Sequence, residues 1–271
     1  MNSGVRSCFR YLLIVLAPVM LRPLPACAQQ PLFTDDADVT AKAKLQLEFT
    51  NEFDILQRSS FPNLKQNTSS FTLNYGLFDS VEIGINSPLI AIFNARGTSP
   101  RIAFGVGDTT LSIKYNFREE RNGSRLPAMA VSFNLELPTG DKDRQLGSAL
   151  VDYQLNGIVQ KSLTERTKLR LNSGVLFSGN TLSGAIGIKT RGTVFTGGVS
   201  LVRQFTERLD LGAEVTGAVA KDFQLGKGQL QFQTGGNYQL KEGFTFDFGI
   251  IGGRYSASPR LGLQLGFSVD F

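Results

Sequence analysis

The sequence predicts an all-β fold, a transmembrane antiparallel up-and-down β-barrel of about twelve strands, on three observations. First, the final segment alternates strictly. Leu261, Leu263, Leu265, Phe267, Val269 and Phe271 share one face, and Gly262, Gln264, Gly266, Ser268 and Asp270 share the other. Strand side chains point to opposite faces with period two, and about 9–11 residues cross a bilayer when tilted. Second, alternating segments recur along the whole chain. Third, the connections between them are by turns short and long, the pattern of outer-membrane barrels.

Residues 1–28 read as a cleaved signal peptide. Arg6 and Arg10 supply a positive start, Tyr11 to Leu21 an apolar run broken only by Pro18, and Ala26-Cys27-Ala28 a small-residue site with cleavage expected after Ala28. The run falls short of the roughly 20 residues that a spanning helix needs. Leu24-Pro25-Ala26-Cys27 loosely resembles a lipoprotein signal, so lipidation of Cys27 stays open. Both cysteines, Cys8 and Cys27, lie in this leader, which excludes a disulfide scaffold in the mature chain. Without Arg6, Arg10 and Arg22 the chain keeps 25 basic and 23 acidic residues, a net charge of +2, with no basic block to suggest nucleic acid.

Residues 29–43, with Asp35, Asp36 and Asp38, form a periplasmic N-terminal segment, which either plugs the lumen or lies disordered. The barrel occupies 44–271. Its expected strands are 44–55, 66–77, 80–91, 107–117, 126–137, 149–162, 167–178, 192–204, 209–220, 229–240, 244–255 and 261–271. Met129, Val131, Phe133, Leu135 and Leu137 oppose Ala128, Ala130, Ser132, Asn134 and Glu136; Phe244, Phe246, Phe248 and Ile250 oppose Thr245, Asp247 and Gly249. Short turns fall at Phe78–Asp79, Thr164–Arg166, Phe205–Arg208 and Lys241–Gly243, and Arg118–Arg125 is somewhat longer. Long loops fall at 56–65, 92–106, 138–148, 179–191 and 221–228, with Ser256–Arg260 brief on the same side. Leu163-Thr164-Glu165-Arg166 and Phe205-Thr206-Glu207-Arg208 repeat one tight turn. An even strand count places both termini on the short-turn, periplasmic side. Tyr75, Tyr115 and Tyr238 then fall near the periplasmic interface and Tyr153 and Tyr255 near the external one, as aromatic girdles require.

Charge is costly toward lipid and tolerated in a lumen. Alternation points Glu48, Glu52, Glu82, Asp108, Lys114, Glu136, Asp152, Lys168, Arg170, Asp210, Glu214 and Asp247 inward. Twelve strands lie between the side-chain-filled barrel of eight and the aqueous channel of sixteen. A narrow pore and a lumen plugged by ion pairs both remain open.

Several motifs carry a resemblance. Leu32-Phe33-Thr34-Asp35-Asp36-Ala37-Asp38, Gly107 to Tyr115, Glu136-Leu137-Pro138-Thr139-Gly140-Asp141 and Asp152-Tyr153-Gln154-Leu155 resemble an outer-membrane transporter-like family labelled "putative MetA-pathway of phenol degradation". The resemblance covers nearly all of the mature chain. It implies an outer-membrane barrel, outer-membrane lipid around it and passage of aromatic compounds, and it brings no catalytic residues.

Two loops are candidate gates. Asp141, Lys142, Asp143 and Arg144 form the most charged external segment, read as a gate or as a solvated hairpin loop. The apolar stretch 92–106, with Phe93 and Phe104, either offers a hydrophobic mouth, packs on neighbouring loops or prolongs the strands. Two carboxylates are too few for calcium, and no cofactor or metal is expected. The chain has no histidine, the usual general base near neutral pH, so no enzyme is expected. The expected function is a channel for passive uptake of small aromatic or hydrophobic solutes; the alternative is a closed structural or adhesive barrel. The terminal Phe271 resembles the signal read by the barrel-assembly machinery.

Overall fold

The structure, a computed structural model, describes residues 31–121, 123–178, 192–220 and 228–271. The signal-peptide reading of 1–28 and the loop at 179–191 lie outside the described residues, as does nearly all of the loop at 221–228. Thirteen strands appear among the described residues. They are β1 (Leu45–Ile55), β2 (Asn63–Phe78), β3 (Val81–Asn94), β4 (Ile102–Val106), β5 (Thr109–Arg118), β6 (Ala128–Leu137), β7 (Asp152–Thr164), β8 (Thr167–Ser178), β9 (Gly192–Gln204), β10 (Leu209–Ala220), β11 (Gln229–Lys241), β12 (Phe244–Gly253) and β13 (Leu261–Asp270). Each pairs antiparallel with its neighbours. The last strand pairs with the first from Gln46↔Asp270 to Ile55↔Leu261, so the sheet closes on itself; among the described strands β4 alone has a single partner, β3.

Thirteen strands make twelve staves, because β4 and β5 are two halves of one. The lower half of β3 pairs with β5 and the upper half with β4. Between them the ladder is interrupted at Pro88, which has no N–H to donate. Its carbonyl instead accepts the Gly107 N–H at 2.8 Å, and Gly107-Asp108 bulge out of the stave. The expected loop 92–106 is therefore mostly strand: β3 runs on to Asn94 and β4 returns from Ile102. Its alternating sequence, Ile102-Ala103-Phe104-Gly105-Val106, is too short a run to stand out as a strand without its partner.

The outer face is a largely apolar band. Leu263, Leu265 and Ile250 are more than half exposed on it, and the Phe49 ring packs at a tilt between Phe71 and Phe267, with centroids 5.1 and 5.2 Å away. No solvent-packed core would leave such residues uncovered; a bilayer covers them. Outward-facing charges keep to strand ends. At the short-turn end Arg203 lies 5.8 Å over the Phe205 ring and Lys241 6.0 Å over Phe244.

Candidate functional site: a lumen closed by the N-terminal segment

The inner face is where the molecule departs from an open pore. Residues 31–43 rise from the short-turn end into the lumen, and wall side chains bind them along their length. At the rim the Ala43 N–H donates to the Gly76 carbonyl at 2.7 Å. Gly76 is required there, because a Cβ would collide with the carbonyls of Thr40 and Ala41. Deeper in, two wall glutamates each grip one threonine by its N–H and its hydroxyl. Glu82 on β3 accepts from Thr40 at 2.7 and 2.6 Å, and Glu214 on β10 accepts both groups of Thr34 at 2.8 Å. Glu214 also takes the Phe33 N–H at 2.7 Å. The Pro31 carbonyl receives the Gln233 amide, which lies 2.5 Å from the Gln264 side chain.

Between these clamps lie the three aspartates. Asp36 meets Arg170 at 3.2 Å and Lys114 at 3.7 Å; Asp35 meets Lys114 at 3.5 Å; Asp38 meets Lys168 at 3.8 Å and takes the Gln160 amide at 3.1 Å. Burial disfavours the charge on Asp36, but Arg170 and Lys114 outweigh it and hold the carboxyl below its ordinary range. Burial dominates at Asp35 and pushes that carboxyl up, against the pull of Lys114. Ala37, wholly buried, packs on Ala128, Ala130 and Ile158, while its carbonyl accepts the Asn116 amide at 2.6 Å. Charges this deeply buried are tolerable only when paired, and these pairs run between the plug and the wall.

The plug thus takes up much of the inward charge that alternation identifies: Glu82, Lys114, Lys168, Arg170 and Glu214. Glu48 and Asp247 line a second recess of about 260 Å³ beside Asp35 and Lys114. Glu52 lies higher on the inner wall, on the same face of β1 as the buried Asp54. Sequence reasoning missed Gln160, Asn116, Gln233 and Gln264, neutral amides that alternation marks only as polar. It also missed a usable signal in the inward glycines. A Cβ on Gly198 would stand 2.6 Å from Thr34, and one on Gly212 3.0 Å from Leu32, so the wall is hollowed where the plug lies.

Above the plug is a cavity of about 340 Å³ with Phe33 and Thr34 at its base and Asn134, Glu136, Asp152 and Gln231 among its walls. Toward the long-loop end part of the wall turns apolar: Ile92, Ala103 and Leu146 form a buried cluster with Ile90 against it. Leu146 arrives there because the loop after β6 folds inward onto Asp108, whose carboxylate accepts the Gly140 and Ser148 N–H groups at 2.9 and 2.7 Å. Gly140 and Gly147 touch at this crossing, where a Cβ on either would meet the other's backbone at under 3 Å. The candidate gate residues separate. Asp141, Lys142, Asp143 and Arg144 form the exposed tip, and Asp141 accepts the Asp143 and Arg144 N–H groups as a local turn. Phe93 and Phe104 alternate onto the outer face, Phe93 packing at 6.4 Å from Phe53, while Ile90, Ile92 and Ala103 face inward. At the far end, Phe271 extends the β1 pairing: its N–H donates to the Leu45 carbonyl at 2.8 Å, and its ring is exposed.

A closed, apolar-jacketed, twelve-stave barrel with a polar lumen defines an outer-membrane β-barrel. The chain belongs to the family described as "Putative MetA-pathway of phenol degradation", whose model matches residues 30–271. Among solved structures it is similar to the COG4313 outer membrane channel from Pseudomonas putida F1, with 15% identity, a TM-score of 0.65, and 92% of this chain and 100% of that one covered. It is also similar to the NanC porin (9% identity, TM-score 0.55, 83% and 98% covered) and to the translocator domain of autotransporter NalP from Neisseria meningitidis (8% identity, TM-score 0.52, 86% and 89% covered). A porin and a translocator share this architecture, so the fold alone does not choose between their activities. No curated protein sequence matches the chain.

Proposed function

We propose that this chain is an outer-membrane channel for the passive uptake of small aromatic or other hydrophobic solutes, exported by a leader over residues 1–28 and closed at rest by residues 31–43. The observation that carries the reading is the plug itself. It is a tethered segment held by wall side chains rather than a covalent part of the wall, and it stands beneath a solute-sized cavity. That cavity, about 340 Å³, is more than twice the ~150 Å³ that holds benzene in an engineered protein core. The exposed Phe33 ring at its base and the apolar patch of Ile90, Ile92, Ala103 and Leu146 toward the mouth suit an uncharged aromatic better than a sugar. The channel and porin structures of similar fold support transport. The number of plug contacts favours the second reading, a permanently closed structural or adhesive barrel, and one experiment separates the two.

The mature protein and a variant lacking residues 31–42 are reconstituted in planar bilayers and in liposomes offered phenols, sugars and fatty acids. Discrete conductance steps, larger in the deletion, and faster entry of phenols than of sugars are expected. Two folded but silent barrels would sink the channel reading. In the deletion background, replacing Glu48, Glu52 and Glu82 together by glutamine should weaken cation preference. An unchanged reversal potential would remove those three from the conducting path.

A further inference from the structure

Three neighbouring loops at the external end carry an exposed cationic surface. In barrel order the hairpins β12–β13, β1–β2 and β3–β4 stand side by side. Their tips and the strand ends beside them expose Arg254 and Arg260, Arg58 and Lys65, and Arg96 and Arg101, with no Asp or Glu among residues 56–65, 94–101 or 254–260. None of the six forms an ion pair among the described residues. The loop at 138–151 differs, mixing Asp141 and Asp143 with Lys142 and Arg144. The three cationic loops are also tied into one platform. The Ala95 N–H donates to the Pro62 carbonyl at 2.8 Å, the Gln57 amide to the Gly253 carbonyl at 3.0 Å, and the Arg260 N–H to the Ile55 carbonyl at 2.8 Å.

Directly below, the apolar jacket is interrupted. On the outer face the register stacks the rows Ile55–Lys65–Phe93, Phe53–Asn67–Ala91 and Asn51–Ser69–Leu89. Lys65, Asn67, Ser69 and Asn51 therefore make a polar column descending between apolar neighbours. Asn51 donates to Asn67 at 3.1 Å and to Ser69 at 2.7 Å, and Asn67 donates back to Asn51 at 3.1 Å. Amide groups facing hydrocarbon are unfavourable, and a barrel that needed only a lipid jacket would place Leu or Val there. Cations at the headgroup level above amides and a hydroxyl at the upper acyl level match a lipid with phosphates on its headgroup and amide or hydroxyl groups near the start of its chains.

We infer that the outer wall at β13–β1–β2–β3 and its three loops bind a phosphorylated glycolipid of the outer leaflet, with Arg58, Lys65, Arg96, Arg101, Arg254 and Arg260 on its phosphates and Asn51, Asn67 and Ser69 on its upper chains. The site lies outside the lumen, so it stands whether or not the barrel transports.

The test uses the full mature chain in detergent with purified glycolipid, either diphosphorylated or enzymatically dephosphorylated, read by native mass spectrometry and by a fluorescent-lipid titration. The diphosphorylated lipid should bind at least tenfold tighter, and less so at high salt. Each cation near a charged lipid surface is worth about fivefold, so Lys65→Gln/Arg96→Gln/Arg101→Gln should weaken binding about a hundredfold. Asn51→Leu/Asn67→Leu, which keeps every cation, should weaken it severalfold, and a retained heat-modifiable band on gels shows that each variant is folded. Equal affinity for the two lipids, binding unchanged in both variants, or full competition by millimolar inorganic phosphate, which would mean a generic anion surface, would each overturn the inference.

Discussion

The tightest grip on the plug is Glu214, and replacing it by glutamine should loosen the closed state by an amount the geometry sets. Its carboxylate accepts three donors, the N–H groups of Phe33 and Thr34 and the Thr34 hydroxyl, all within 2.8 Å. A carboxamide offers one acceptor oxygen and turns an NH₂ toward donors, so at least one donor loses its acceptor. Leaving a buried donor unpaired costs about 1–3 kcal/mol, and the remaining bonds lose their charge assistance. A total near 3 kcal/mol raises the ratio of undocked to docked plug about a hundredfold. Thr34→Val removes a single bond, so about 1 kcal/mol and about fivefold are expected. The assay is the open fraction in single-channel recordings, with heat-modifiable migration on gels as the control for folding. The double variant closes a cycle: once Glu214 is glutamine, removing the Thr34 hydroxyl should add less than it does alone. Folded Glu214→Gln barrels with the wild-type open fraction would refute the assignment of Glu214 as the plug's main tether.

Three further outcomes follow from contacts elsewhere in the structure. Asp36 titrates below its ordinary value of about 3.9 when docked, so its contribution is complete above that value and is lost as pH falls through the docked value. The open fraction should rise below about pH 4, and Asp36→Asn should be more open at neutral pH and lack that step; because Asp35, pushed up by burial, works in the opposite sense, the step is read as the difference between wild type and variant. Asp108→Asn weakens the hold on the loop after β6, so trypsin should cut at Lys142 and Arg144 several times faster, and an unchanged rate would show that the loop is anchored elsewhere. Deleting Phe271 should lower the amount of barrel in the membrane while leaving conductance per molecule unchanged; normal assembly would remove its role as an assembly signal.

How far the sequence could be read differs between wall and contents. Alternation alone located the staves, because in a barrel each strand has lipid on one side and lumen on the other, and period two is then imposed residue by residue. It failed locally at β4, a run of five residues whose strand character depends on pairing with Leu89 to Phe93. It also misled at the mouth. Phe93 and Phe104 looked like gate residues because they are large and apolar, but their parity turns them to the lipid, and the smaller Ile90, Ile92 and Ala103 carry the inner patch.

By itself, then, the sequence determined the jacket and the number of staves, since each of these depends only on neighbours along the chain or on the next strand, while the buried, inward Asp54 escaped it. The tertiary structure alone decided what fills the lumen. Residues 31–43 have no period to read, and their hold on the wall joins Thr34 to Glu214 across 180 positions and Asp36 to Arg170 across the width of the barrel. Alternation can say that a glutamate faces inward. Only closing the barrel brings a threonine to meet it.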